Sequence, residues 1–228
     1  MDALRGIFLL GMICVHFIYD LGNAYNLEYH TLFISLMQWG GTFFLLLSGI
    51  CVTLGSHPIR RGILVFACGM LCSAATAALF FTGLAQHDIL IYFGVLHCLG
   101  VCMLLWPVFS KLPVWGLCAA GIVISLVGLY LNTHVQVNTP WLVPLGILCP
   151  GFASSDYFPV LPNLGFFLLG AFSGRILYRN RTTLFPKVNA GFLPLRFVCF
   201  LGRQSLFFYL LHQPVLIAAI WLIQHFHR

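Results

Sequence analysis

The sequence predicts an all-α protein, a polytopic transmembrane helical bundle of about seven spanning helices plus one short re-entrant or interfacial segment. Three observations carry this. Of the 228 residues 61% are hydrophobic and only 7% charged, with a mean hydropathy of +0.98, against roughly a quarter charged in an average soluble domain. Apolar runs recur at close to the ~20 residues needed to cross a hydrocarbon layer about 30 Å thick. The basic residues fall at the ends of those runs or in the short gaps between them and sort to one side. No polar region is large enough for a second, soluble domain, so residues 1–228 are expected to form a single integral membrane domain.

Read between polar or Pro/Gly breaks, the spans fall near 4–22, 31–55, 61–83, 88–110, 113–132, 157–178 and 203–224. The first has almost no basic region before it and no small-residue cleavage site after it, so it reads as a retained helix and not as a removable signal. The second and third are separated by the polar, proline-containing stretch that ends in Arg60 and Arg61. The fourth begins at Asp88 and stops before Lys111. The fifth starts at Pro113. Between the fifth and sixth, residues 140–150 are apolar but broken by Pro144 and Gly146, too short to span comfortably, and are expected to be re-entrant or interfacial. The sixth follows Asp156 and ends just before Arg179, and the seventh begins at Arg203.

Charge supports this order independently. With a cytoplasmic N-terminus, Arg5, Arg60, Arg61, Lys111, Arg175, Arg179, Arg181, Lys187, Arg196 and Arg203 lie on the cytoplasmic side and only Arg228 outside. Asp20, Glu28, Asp88 and Asp156 sit at or beyond the opposite end. Making 140–150 a full crossing would move the basic 175–203 stretch outside, against the positive-inside rule. The same rule accounts for the net charge of +6, so no nucleic-acid partner is expected. Nearly all nine cysteines lie inside apolar runs, where cysteine behaves as a small hydrophobe. The pairs Cys68/Cys72 and Cys98/Cys102 lack a second pair at metal-site spacing, and no metal is expected.

Ionisable groups inside membrane helices are costly and are functional candidates by default. His16, His97 and His212 are such groups. At about 1.5 Å per residue, His16 lies roughly 16 Å from Arg5, His97 roughly 14 Å from Asp88, and His212 roughly 13 Å from Arg203, which puts all three near mid-bilayer. Each alone is equally explained as a helix-packing hydrogen bonder; three at one depth suggest a shared polar cavity lined by His97, His212 and the adjacent Gln213. Asp20 is four residues after His16, hence on the same helix face. It can hold an imidazole tautomer for a general base, or simply be an interfacial residue. Arg60, Arg61, Arg175, Arg179 and Arg181 form a basic set able to receive a phosphorylated donor, beside their role in orientation.

Several strings resemble a known family. The opening DALRGIFLLGMICVHFIYD with LLSGI, then FGVLHCLGV, DYFPVLPNLGFFLLGAFSGRILY and the closing GRQSLFFYLLHQPVL are similar to bacterial relatives of the heparan-alpha-glucosaminide N-acetyltransferase catalytic domain, over nearly the whole chain. Ten residues separate Arg5 from His16, which resembles the arginine–ten–histidine pattern of the wider acyltransferase-3 membrane enzymes. That resemblance implies His16 as catalytic base and Arg5 as a donor-side residue. The lysosomal acetyltransferase pattern instead implies His30, in the following loop, as the equivalent histidine.

The leading expectation is a transmembrane acyltransferase in a bacterial cytoplasmic (inner) membrane, with its N-terminus cytoplasmic. It would move an acyl group, acetyl above all, from acetyl-CoA or another acyl-CoA to an extracytoplasmic small-molecule or glycan acceptor. In it His16 takes the acceptor's proton and Asp20 orients the ring, while Arg5, Arg60, Arg61, Arg175 and Arg179 meet the donor. A transient acyl-histidine is an alternative route. The partners are then the acyl-CoA donor, the acceptor and the lipid bilayer, with a homodimer as one assembly. A non-catalytic transporter or proton-coupled flippase using the same histidines is the alternative from another class.

Overall fold

The structure, a computed structural model, describes residues 1–25, 31–84, 89–179 and 192–226, and among these all side chains except 23–24, 31–32 and 34–38. These residues form eight α-helices: α1 (Asp2–Tyr25), α2 (Thr31–Val52), α3 (Pro58–Phe81), α4 (Val95–Phe109), α5 (Val114–His134), α6 (Val160–Leu177), α7 (Leu193–Arg203) and α8 (Ser205–Phe226). The described residues contain two isolated parallel bridges, Phe93 with Tyr157 and Gln136 with Leu148, and no strand.

Among the described residues α1, α3, α5, α6 and α8 are long and apolar enough to cross a membrane, five helices where the sequence suggests about seven. α2 adds a shorter apolar stretch, Trp39–Val52, and α4 has only 15 residues, about 22 Å of rise. The late start of α4 has a local cause. Gly94 caps the helix together with the His97 side chain, while Val95 donates its N–H to the Asp156 carboxylate at 3.1 Å. Residues before Gly94 are thereby turned out of the helix. The 140–150 stretch holds a six-residue 3₁₀ helix, Pro140–Leu145, too short to cross. α7 was not anticipated: Arg196 and Arg203 lower the hydropathy of a segment whose Val198, Leu201 and Gly202 turn inward while Phe197 and Phe200 stay exposed.

The chain forms two compact units, residues 1–40 with 185–228, and residues 41–184. In the first, α1 packs on α7 and α8. A Cβ at Gly6 would lie 2.0 Å from the Val198 carbonyl oxygen and one at Gly202 1.9 Å from that of Asp2, so only glycine lets these backbones meet. Asp2 lies 3.8 Å from the Arg5 guanidinium and 4.0 Å from that of Arg203.

In the second unit, α3 packs on α4, α5 on α6, and α4 on α6. Phe167, Leu168 and Ala171 of α6 are buried with Cys98, Cys102 and Leu117, and Trp106 meets Phe167 edge-on at 6.5 Å. Ile63, Leu64, Met70 and Leu71 of α3 are more than half exposed. Such a contiguous apolar face is unfavourable in water and at home against acyl chains. Arg175 closes one end of this unit. Its guanidinium donates to the carbonyls of Leu112 at 2.7 Å and Ser110 at 2.5 Å and sits 5.4 Å from the Trp106 ring centroid, so it holds the turn that follows α4 by charge-assisted hydrogen bonds.

Asp156 makes the stability of this unit pH-dependent. Burial outweighs the Val95 hydrogen bond and raises the carboxyl from 3.8 to about 6. Between those values the folded protein holds a proton that the unfolded chain has released, so this contribution is fully present below pH ~4 and lost as pH rises through about 6. The melting temperature is expected to fall over that interval, and Asp156→Asn, which stays neutral and can still accept from Val95, is expected to flatten the fall. An equally steep fall in the variant would assign it to another group.

Candidate active site

In the first unit, α8 carries a polar step inside an apolar helix: Tyr209, His212, Gln213 and Pro214. The Nδ1–H of His212 donates to the Tyr209 carbonyl oxygen, one turn back. A carbonyl can only accept, so in the neutral ring Nδ1 bears the proton and Nε2 the lone pair. That Nε2 is buried and has no hydrogen-bond partner among the described residues. An unmatched buried acceptor costs on the order of 1–3 kcal/mol.

Gln213 ties α8 to α1. Its Nε2–H donates to Asp20 Oδ2 at 2.9 Å. The ionised carboxylate offers only acceptors, so the amide orientation is set, and Gln213 Oε1 points elsewhere, buried and also unmatched among the described residues. The His16 ring meets the His212 ring at 5.0 Å between centroids and 62° between planes, an edge contact and not a hydrogen bond. His16, Asp20, His212 and Gln213 are therefore gathered on facing sides of α1 and α8, each half-buried. The Asp20 carboxylate, expected from spacing to hold the His16 imidazole, instead receives the Gln213 amide, whose longer side chain reaches across from α8. Pro214 adds backbone polarity: without an N–H it leaves the Leu210 carbonyl without its helical partner.

Of the remaining candidates, His97, Arg60, Arg61, Arg175 and Arg179 belong to the second unit and Arg5 to the first. His97, in the second unit, is the third residue of α4. Its Nδ1 accepts the Gly94 N–H at 3.1 Å and its Nε2 lies 3.4 Å from Ser73 Oγ, which itself donates to the Ile91 carbonyl. One ring nitrogen thus caps α4 and the other faces Ser73 of α3, and the ring is almost wholly buried. Arg60 and Arg179 are exposed and Arg61 is half-buried, while Arg175 is committed to carbonyls as described. Arg5 pairs with Asp2. His30, Arg181 and Lys187 lie outside the described residues. No group of three or more His, Cys, Asp or Glu among the described residues is placed to hold a metal ion.

Residues 1–214 match the family described as heparan-alpha-glucosaminide N-acetyltransferase, catalytic. The chain belongs to this family. The matched region reaches one residue past Gln213 and so includes all four side chains gathered between α1 and α8. Comparison with curated proteins and with solved structures finds no match. Membership in the heparan-alpha-glucosaminide N-acetyltransferase catalytic family, with its apolar helices, indicates a multi-pass membrane N-acetyltransferase in general. Acetyltransferases of this type use acetyl-CoA as co-substrate. Sequence reasoning missed the link from Asp20 to Gln213. The available signal was an amide beside a histidine and before a proline in an otherwise apolar helix.

Proposed function

We propose that this chain transfers an acyl group, acetyl in the first instance, from cytoplasmic acyl-CoA to the amine or hydroxyl of an extracytoplasmic acceptor such as an amino sugar or other carbohydrate. Family membership supports the reaction class. The observation that carries the assignment to this site is the His16–His212 contact, with an open imidazole nitrogen beside a carboxylate-anchored glutamine. One imidazole of the pair takes the acceptor's proton as it attacks the thioester: the arginine–ten–histidine spacing favours His16, the open nitrogen favours His212. Asp20 and Gln213 hold α1 and α8 together at that depth.

The basic residues favour a cytoplasmic N-terminus in a bacterial inner membrane. Arg5, Arg60, Arg61 and Arg179 are proposed to meet the donor's phosphates. Arg175 and His97 are given supporting roles, since their polar atoms already serve backbone and Ser73. His30 stays an alternative base on the lysosomal pattern. The decisive experiment incubates purified protein, in vesicles, with acetyl-CoA and an amino sugar and follows free CoA thiol. Acceptor-dependent thiol release is expected. Intact thioester would overturn acyl transfer in favour of a proton-coupled transporter using the same histidines.

A further inference from the structure

The pair of imidazoles between α1 and α8 is not symmetric, and the asymmetry assigns their roles. His212 has one nitrogen committed and one open: Nδ1–H is bonded to the Tyr209 carbonyl, while Nε2 is buried, carries the lone pair and lacks a donor among the described residues. A side chain in this state resembles a socket. The backbone selects its tautomer, and what completes it is a hydrogen-bond donor, such as an incoming O–H or N–H. Gln213, the next residue, presents a second buried acceptor, Oε1, because its amide nitrogen is held by Asp20. Two unmatched acceptors on one turn of α8 call for a ligand that donates hydrogen bonds, as an acceptor amine or hydroxyl does. A thioester carbonyl, which only accepts, fits neither.

We infer that Nε2 of His212, on α8, is the atom that takes the acceptor's proton, and that His16, edge-on against it, is a positioning residue that restricts its ring. This rests on the acyl-transfer reading above. The step balances without a further reactant. The acceptor's nitrogen or oxygen forms a bond to the thioester carbonyl carbon as its proton passes to His212 Nε2. The tetrahedral intermediate then collapses, the carbon–sulfur bond breaks, and the departing CoA thiolate takes the proton back from Nε2. Asp20, bonded to Gln213 on the same turn, lies close enough to oppose the positive charge that His212 carries in between.

The test is chemical rescue on the full chain in vesicles. His212→Ala is expected to lower CoA thiol release by about 10²–10⁴-fold, and added imidazole is expected to restore at least a tenth of the lost rate by occupying the vacated space. The same treatment of His16→Ala is expected to leave its rate where it is, because imidazole placed there has no defined tautomer. Should His212→Ala fail to give a monodisperse protein, His212→Gln keeps a polar side chain in the space, and its loss of turnover with unchanged acetyl-CoA binding serves in its place. Full turnover in a folded His212 variant, or rescue of His16→Ala alone, overturns the assignment while leaving acyl transfer standing. Absence of thiol release from the wild-type protein strikes acyl transfer itself.

Discussion

Gly170→Ala is expected to leave little or no folded protein, although alanine is the better helix former by about 1 kcal/mol. A Cβ at position 170 would sit 2.0 Å from the Leu46 carbonyl oxygen, and one at Gly49, on the opposing helix, 1.9 Å from that of Phe167. Each glycine of the pair thus receives the other helix's backbone. Overpacking against flexible side chains costs roughly 1–3 kcal/mol, but here the obstructing atoms are main chain and cannot rotate away, so α2 and α6 would have to separate and uncover Phe167 and Leu168. Against a total stability of about 5–15 kcal/mol, that loss is expected to show as aggregation or a melting temperature lowered by well over ten degrees. Gly11→Ala is the control. Its Cβ would meet nothing within 4 Å, and it is expected to match or exceed the wild type. Similar melting of the two variants would refute the close approach.

His16→Ala is expected to slow acyl transfer by about 10²-fold with the helices intact. The ring is half-buried and meets His212 by an edge contact, so truncation removes no hydrogen bond between them and should cost stability little. It does free the His212 ring to turn, and displacement of a reacting group by about 1 Å costs roughly 10²-fold in rate. Residues acting as one device give non-additive losses. The double variant His16→Ala, His212→Ala is therefore expected to be no slower than His212→Ala alone, measured as thiol release at saturating acetyl-CoA. Multiplying losses would mean that the two imidazoles act in separate steps.

Helix content was readable because hydropathy over 20 residues is a local property, and α3, α5 and α8 lie where the apolar runs place them. Two features escaped for physical reasons. The start of α4 depends on Asp156 receiving the Val95 N–H, an interaction between residues 61 apart, and no window over 88–110 contains it. α7 was hidden by its own charges, which break an apolar run while leaving Val198 and Gly202 at helical spacing to face α1. The site divides in the same way. His16 and His212 were visible as polar residues in apolar helices, and Asp20 as a carboxylate at the right spacing. Which partner that carboxylate takes is decided by tertiary packing, and Gln213 is 193 positions away.

That separation also has a meaning in time. A ribosome adding about 5–20 residues per second delivers Gln213 roughly 10–40 s after Asp20, so the first helix enters the bilayer with its carboxyl group still awaiting the amide that will shelter it. During that interval the nascent chain must be tolerated by the insertion machinery. Messages truncated or stalled before α8 emerges should yield a product recognised by membrane quality control instead of an idle but stable protein.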